Sequence, residues 1–479
     1  MIALNDGDVE LEKPKTKIVA TIGPSSSRKT ILKNIVRYAS VIRINLAHGD
    51  FEEKEKLIDL VREVSAKMDS AVSLLADLPG PKIRLGILKE PLNIKRGERI
   101  ILYVDGEKNY RKIEREGSEI RLPVEYEEFP KIVSRGSLVY LCDGTVKLRV
   151  EDVGESEVTC VVLCGGTVTS RRGINVPGSV KVDVPTKEDI ELLKAFGSKV
   201  DAIGVSFVGK REDIEKVRKF TDAFLIAKIE RESAVRNIDG IMDAADGVMV
   251  ARGDLGVEMP IEELAVIQKK LIMKANLASK PVITATQMLE SMINDVRPTR
   301  AEVTDVANAI LDGSDALMLS EETAVGKYPV ETVETMAAIA KFTERYREEL
   351  TENRILSIMK ETCGNKNVVD AIALAIVQIM KCMDIDFIIA RTRSGRTARS
   401  ISRFKPSQWI FAFTPDERVR RNLNFSYGVI PFTMKDRSDR NIVSFLKKLG
   451  IEGKAVITEE IRLDESVRIG TNAVKIFDV

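Results

Sequence analysis

Residues 224–264 read FLIAKIERESAVRNIDGIMDAADGVMVARGDLGVEMPIEEL, and this stretch decides the fold. A short apolar run, Phe224–Ala227, stops at Lys228-Ile229-Glu230. Val235, Ile238, Ile241 and Met242 follow at a spacing that places them on one helical face. Gly247 opens a second apolar run, Val248-Met249-Val250, which stops at Ala251-Arg252-Gly253-Asp254-Leu255-Gly256. The unit is strand, helix, strand, and both strands end in charge. Parallel strands joined by a helix bring such ends side by side. Glu230 and Asp254 are therefore expected to meet, with Lys228 beside them. Two carboxylates and an amine at the carboxyl edge of a sheet suit a divalent cation and an anionic substrate. The same residues also suit a solvated cluster of salt bridges.

The alternation extends in both directions. Lys17–Ile22, Val41–Asn45 and Val72–Ala76 read as strands separated by helical segments. After the interval 81–176 the pattern resumes with Ala202–Ser206, Phe224–Lys228, Gly247–Val250, Val282–Ala285 and Ala316–Leu319. Pro260 and Pro329 stand at helix starts and Gly313 just past a helix end. Eight such units are the count of a closed (β/α)8 barrel, whose active site lies at the carboxyl face. The strand ends are Thr21, Arg43 with Asn45, Asp77, Ser206, Lys228 with Glu230, Asp254, Thr286, and Ser320 with Glu321. Eight polar or reactive strand ends point to an enzyme.

Within 81–176 the helical period vanishes. Short alternating runs such as Arg99–Val104, Leu138–Leu141, Lys147–Val150 and Val158–Leu163 are separated by Asp105-Gly106, Asp143-Gly144 and Gly165-Gly166. This is an inserted β domain, placed to act as a lid. After Tyr346 comes a third region: one long apolar helix over Asn367–Met383, then strands at Phe387–Ala390, Trp409–Phe413, Val429–Phe432, Ala455–Thr458 and Val474–Phe477. The expected plan is an N-terminal tail (1–11), a barrel domain (12–80 and 177–345), a small β-barrel lid (81–176) and a C-terminal α/β domain with a mainly parallel sheet (346–479). In the last domain Thr392, Arg393, Ser394, Gly395, Arg396 and Thr397 open a helix. Hydroxyls, arginines and a glycine there suit a phosphate, or form an ordinary basic capped turn.

Composition narrows the function classes. Hydrophobic content of 44% and charged content of 31% describe a globular chain of several domains. Lys and Arg number 74 against 73 Asp and Glu, so charge does not call for nucleic acid or a membrane. No apolar run approaches a bilayer span, and the N-terminus lacks a basic-then-apolar signal pattern. Cys142, Cys160, Cys164, Cys363 and Cys382 show no metal-ligand spacing, which suits reduced thiols in the cytoplasm. Four glutamines against abundant Glu, Lys and Arg lean towards a heat-tolerant source.

Several stretches together carry a resemblance to the pyruvate kinase family. They are KTKIVATIGPSS (15–26), RINLAHG (43–49), ADLPGPKIRLG (76–86), IGVSFV (203–208), AKIE (227–230), VMVARGDLGVE (248–258), TATQMLESM (284–292) and LMLSEETAVGKYP (317–329). The resemblance spans nearly the whole chain, with barrel, inserted lid and C-terminal domain in the family's order. It implies transfer of the phosphoryl group of phosphoenolpyruvate to ADP, giving ATP and an enolate that is protonated to pyruvate. It also implies Mg²⁺ or Mn²⁺ on Glu230 and Asp254. Lys228 and Arg43 would hold the phosphoryl group, the amides of Gly253 and Asp254 the substrate carboxylate. Thr286 would belong to the proton relay, because a hydroxyl alone is a weak acid. Asn45, His48, Arg84 and Lys187 match the family's nucleotide-contact positions. A lone histidine is commonly a structural hydrogen-bonder, so His48 receives no acid–base duty. Ser206 and Ser320 are expected to support the substrate-touching residues.

Three positions depart from the family pattern. Ala47 replaces a serine, Lys82 stands where many members have glutamate, and Glu321 replaces a glycine without a clear consequence. The family's K⁺ shell corresponds to Asn45, Ala47, Asp77 and the backbone of Leu78. Ala47 offers no side-chain oxygen, and a Lys82 ammonium opposes K⁺ by like charge. Members with lysine here form a K⁺-independent subgroup, so activity without added K⁺ is expected; the alternative is a lysine pointing into solvent. The resemblance further implies a homotetramer and a phosphorylated effector at 392–397. Another phosphoenolpyruvate-using barrel, a lyase or mutase, would need neither lid nor nucleotide contacts. A non-catalytic member would be expected to lack Lys228, Glu230 or Asp254, and none is lacking.

Overall fold

The computed structural model describes residues 13–68, 72–104, 115–116, 119–142, 144–178, 183–363, 367–459 and 471–479. The expected tail (1–11), the turn at Asp105-Gly106 and Asp143 lie outside the described residues. Strands β1 (Lys17–Thr21), β2 (Val41–Asn45), β3 (Ser73–Asp77), β4 (Ala202–Val205), β5 (Phe224–Ile229), β6 (Gly247–Ala251), β7 (Val282–Ala285) and β8 (Ala316–Leu319) close into a barrel in chain order. All eight pairings are parallel. Strands covered on both faces need apolar residues at nearly every position, which explains the unbroken runs in the sequence. Val19, Val41, Leu75, Ile226, Met249, Ile283 and Met318 fill the interior, while Ile18, Ile42, Leu74, Leu225 and Val248 pack outward with the surrounding helices. The register Lys228↔Met249 and Ile229↔Val250 sets the ends of β5 and β6 level, so Glu230 and the segment carrying Asp254 emerge at one height.

The other end of the barrel is stoppered. Phe425, from the C-terminal domain, joins the interior cluster and stacks on Phe224 with ring centroids 5.7 Å apart. Ser73 Oγ donates to the Arg421 carbonyl at 2.6 Å, and the buried Lys405 ammonium meets Asp315 at 2.5 Å. With that face occupied by packing, the carboxyl ends of the strands carry the chemistry.

Two local features differ from the sequence reading. The helix expected after β5 is two helices, Glu232–Arg236 and Ile238–Ala244. They break at Asn237, whose amide donates to the Gly209 carbonyl at 2.8 Å. After β6 the segment at which the apolar run stops, given no element from the sequence, is a helix, Arg252–Glu258. It ends at Met259, held extended by the following Pro260.

The insertion builds an eight-stranded sheet running from Ile83–Arg84 to Gly173–Asn175, with its own apolar core. The sheet curls on itself: Leu85 bridges to Val124, Gly86 N–H donates to Pro123 O at 2.8 Å, and Glu125 N–H to Arg84 O at 2.9 Å. A short helix, Phe129–Ile132, interrupts the otherwise β pattern, with a proline in its first turn. In the C-terminal domain, β9 (Phe387–Arg391), β10 (Trp409–Thr414), β11 (Val429–Thr433), β12 (Lys454–Glu459) and β13 (Ala473–Asp478) form a sheet in the order β11-β10-β9-β12-β13. Only the last pair is antiparallel. The chain passes residues 345–346 inside one 35-residue helix, Pro329–Cys363. After its first residue that segment has no Pro and no Gly, so nothing in it ends a helix at the expected domain boundary.

Candidate active site

Four barrel strands supply the centre. Lys228, near the end of β5, reaches Glu230 Oε1 at 2.8 Å, Asp77 Oδ1 at 3.1 Å and Ser206 Oγ at 2.7 Å. Burial alone would lower the ammonium, but Asp77 and Glu230 outweigh it and hold Lys228 protonated well above the usual lysine range. Asp77, at the end of β3, is shared with Arg43 of β2: Nε donates to Oδ2 at 2.8 Å and Nη2 lies 2.6 Å from the same oxygen. Burial pushes the Asp77 carboxyl up, yet Lys228 and Arg43 together bring it below its ordinary value. Arg43 Nη1 also donates to Thr21 Oγ1 at 3.0 Å, and Thr21 Oγ1 donates to Leu319 O at 2.8 Å. One carboxylate thus holds two cations that repel each other, and a further anion at the mouth would relieve that repulsion. Ser206, expected as a support, holds Lys228 and is itself fixed by donating to Leu78 O at 2.7 Å.

Glu230 and Asp254 stand close enough for their charges to interact. Burial raises the Glu230 carboxyl, and the Asp254 charge adds to the rise against the pull of Lys228. The amide of Phe207 donates to Glu230 Oε2 at 2.7 Å. Asp254 is driven the other way: Lys82 and then Lys228 overcome its burial and lower it. Lys82 Nζ lies 2.8 Å from Asp254 Oδ1, with about a fifth of each side chain exposed (21% and 19%). This overturns the alternative of a lysine directed into solvent. The Asn175 amide also donates to Asp254. Among the described residues no third His, Cys, Asp or Glu closes a metal cage around this pair. Two hard carboxylates with the remaining positions open fit Mg²⁺ or Mn²⁺, which keep positions for substrate oxygens.

Thr286 follows β7 in a left-handed conformation, φ +68°, and Gln287 repeats it at φ +53°. A β-branched residue adopts this region only when its surroundings impose it. Gly253 N–H donates to Thr286 Oγ1 at 2.8 Å, and the hydroxyl donates to Ala285 O at 2.6 Å. The sequence expectation gave the Gly253 amide to a substrate carboxylate; in this structure it is spent on Thr286 instead, because the helix Arg252–Glu258 brings its first turn against the end of β7. The lid lies over the same helix: a Cβ on Gly144 would sit 3.3 Å from Val257.

The nucleotide and cation positions are more dispersed. Asn45 Oδ1 accepts from the Ala47 amide at 3.1 Å, and Leu78 N–H donates to Gly204 O at 3.0 Å. Arg84, at the base of the lid, donates to Arg171 O at 3.0 Å. His48 is exposed at its edge; the covered part of its ring, then Arg84, Arg43 and Arg171, lower its pKa. Lys187 is exposed at the start of the helix Lys187–Phe196. The first turn of that helix is tied to the segment leading into the lid, since Asp189 Oδ1 accepts from Gly80 N–H at 3.0 Å. Gly80 has φ +63°, and a Cβ there would lie 2.8 Å from that of Ser206. In the C-terminal loop Arg393, Ser394 and Arg396 are exposed, whereas Thr392 and Thr397 are buried and Thr397 Oγ1 is 2.8 Å from Thr471 Oγ1. Gly395 takes φ +83° at the helix start.

Sequence reasoning missed Arg252, Asn175 and Glu322. Arg252 had a visible signal, a charge directly after a fully buried strand. Asn175 and Glu322 had none, since only the folded lid and the turn after β8 bring them near the mouth. Ser320, expected as a support, offers its amide rather than its hydroxyl, donating to Glu322 Oε2 at 2.6 Å.

Known proteins resemble this chain over nearly its whole length. The family model "Pyruvate kinase, barrel domain" matches residues 13–333, and "Pyruvate kinase, alpha/beta domain" matches 370–477. A pyruvate kinase of Thermococcus litoralis is 49% identical, over 98% of this chain and all of its own length. Pyruvate kinase 2 of Synechocystis is 39% identical over 88% of this chain and 71% of its own. The crystal structure of a pyruvate kinase from Cryptosporidium parvum superposes with a TM-score of 0.86 at 34% identity, covering 99% of this chain and 98% of that one. With its barrel, its lid and the Lys228–Glu230–Asp254 centre in place, the chain belongs to the pyruvate kinase family.

Proposed function

We propose that the barrel mouth moves the phosphoryl group of phosphoenolpyruvate to ADP and then protonates the enolate to pyruvate. The observation that carries this reading is the Lys228 ammonium, largely covered and held in its charged form by Asp77 and Glu230, with Arg43 close on one side and the Glu230–Asp254 pair on the other. Phosphoryl transfer needs positioned positive charge more than a base. Lys228 meets charge that develops on the phosphoryl group in flight and on the enolate oxygen after it. Arg43, whose guanidinium is fixed by Asp77 and Thr21, orients the phosphoryl group by a fork of donors. Glu230 and Asp254 would hold Mg²⁺ or Mn²⁺, which when bound supplies Lewis-acid polarisation of substrate and phosphoryl oxygens. The Asp254 amide takes the substrate carboxylate, and the Gly253 amide joins it only if Thr286 Oγ1 yields its place. Thr286 stands in the relay that brings the proton to the enolate carbon. Asn45, His48, Arg84 and Lys187 contact the nucleotide, with the lid closing over it.

Lys82 supplies a resident positive charge beside Asp254, in a mouth where Ala47 provides no hydroxyl, so the enzyme works without added K⁺. The loop Thr392–Thr397 takes the phosphate of a regulatory sugar phosphate or nucleotide through Arg393, Ser394 and Arg396. The assembly is a homotetramer working in the cytoplasm, a state that light scattering on the purified chain tests. The activity is tested by following ATP formation from phosphoenolpyruvate and ADP across divalent metals and monovalent salts. Absence of ATP with both Mg²⁺ and Mn²⁺ would overturn the reading.

A further inference from the structure

Arg252 is nine-tenths buried and makes more contacts than any role as a helix-terminal residue requires. It leaves the first turn of the helix Arg252–Glu258 and crosses to the end of β7. There Nε points to Ala285 O at 3.4 Å, while Nη2 donates to Thr286 O at 2.7 Å and Gln287 O at 3.2 Å and lies 2.9 Å from Met288 Sδ. On its far side Nη1 is held by Asp305, at 2.8 Å from Oδ1 and 2.7 Å from Oδ2, and by Gln268 Oε1 at 3.4 Å. Three consecutive carbonyls therefore turn towards one guanidinium. They belong to the two residues with left-handed backbones, Thr286 and Gln287, and the one before them. Such a turn carries backbone strain and gathers carbonyl dipoles of one sign, so it persists only where fixed donors compensate.

We infer that Arg252 is a positioning residue for enolate protonation: its guanidinium imposes the left-handed Thr286–Gln287 turn and so sets the direction of the Thr286 hydroxyl. The inference rests on the phosphoryl-transfer and protonation reading above. In that step a C–H bond forms at the enolate carbon, an O–H bond of the relay breaks, and solvent restores the relay proton. Arg252 touches none of the reacting atoms and acts only through Thr286. A lysine keeps the charge but presents a single ammonium, which cannot serve three carbonyls and Asp305 at once. A purely structural ion pair between Arg252 and Asp305 would matter equally to every step; a positioning role separates them.

The test compares the wild type with Arg252→Lys and with Asp305→Asn, which loosens the guanidinium without touching the turn. Two rates are read for each at saturating Mg²⁺: ATP formation from phosphoenolpyruvate and ADP, and exchange of pyruvate methyl protons with D₂O followed by NMR. For Arg252→Lys the exchange rate is expected to fall about 10²-fold, the lower end of what a positioned proton-transfer group contributes. ATP formation should fall far less, with KM for phosphoenolpyruvate nearly unchanged. Asp305→Asn should split the two rates in the same sense and less deeply. Equal losses in both rates, or exchange at the wild-type rate, overturn the inference. If Arg252→Lys does not fold, Asp305→Asn decides by the same criterion. A wild type that makes no ATP would instead remove the reading on which the inference stands.

Discussion

Lys82 Nζ and Asp254 Oδ1 lie 2.8 Å apart, joining the base of the lid to a candidate metal ligand of the barrel. The lysine is held in place by close packing, since a Cβ on Gly173 would come within 2.7 Å of its Cε. At an effective dielectric of 20, reversing a charge 4 Å from a carboxylate shifts their interaction by up to about 8 kcal/mol before solvent and counter-ions respond. Lys82→Glu should therefore depress the rate in a buffer whose only monovalent cation is a bulky quaternary ammonium, by at least about tenfold. Added K⁺ should restore part of that rate, limited by the missing hydroxyl at Ala47. Strong K⁺ activation of the unmodified protein would contradict the role given to Lys82.

Lys228→Ala should lower kcat by about 10²–10³-fold or more, the range for removing a preorganised electrostatic group, while KM for phosphoenolpyruvate changes much less. The variant also leaves Asp77 with Arg43 as its remaining cation partner, so thermal stability should be recorded in parallel. A variant with wild-type kcat and a raised KM would show that Lys228 only binds substrate.

Glu230→Gln keeps the shape and removes the charge that Asp254 opposes. Mn²⁺ affinity, read by electron paramagnetic resonance or calorimetry, should weaken by about tenfold or more, as for a lost oxygen ligand. The melting temperature in metal-free buffer should be recorded in parallel, because the change relieves a buried carboxylate but also takes one of the two carboxylate partners from Lys228. An unchanged Mn²⁺ titration would take Glu230 out of the ligand set.

His48 is the chain's single histidine, so its ring protons give one assignable NMR titration. Its midpoint should lie below the usual 6.5, through partial burial and the neighbouring Arg84, Arg43 and Arg171. A histidine lowered in this way resists protonation in the folded state. Its effect on stability is therefore nil above pH 6.5 and unfavourable as pH falls from 6.5 towards the folded midpoint, because the unfolded chain binds the proton first. Arg84→Ala should move the midpoint upward. A midpoint at or above 6.5 in the unmodified protein would mean that the ring is not crowded by these guanidiniums.

Arg396→Ala tests the C-terminal loop. Calorimetry with a panel of sugar phosphates and nucleotides should find a ligand that binds the unmodified protein and binds the variant at least about tenfold more weakly, given the strength of charge-assisted phosphate contacts. Coupling to the barrel would appear as a shift in KM for phosphoenolpyruvate when that ligand is present. If no member of the panel distinguishes the two proteins, the loop is a capped turn.

The sequence by itself determined the barrel and the residues at its mouth. Strands covered on both faces are apolar at most positions, so the polar residues that cluster where the runs stop, Asp77, Lys228 and Glu230, marked the carboxyl ends of β3 and β5. The βα period then required Glu230 and Asp254 to be neighbours. What the sequence left undecided were relationships across elements with no common period. Lys82 could face solvent or enter the site region, and only the docking of the lid at Gly173 and Asn175 set it against Asp254. The Gly253 amide could face a carboxylate or Thr286, and only the left-handed turn after β7 gave it to Thr286. Arg252 read as one charge among many until the fold set its guanidinium between Asp305 and three carbonyls. Periodicity reports which side of an element is buried; hydrogen-bond partners are selected by packing between elements far apart in the chain, and that selection exists only in the folded molecule.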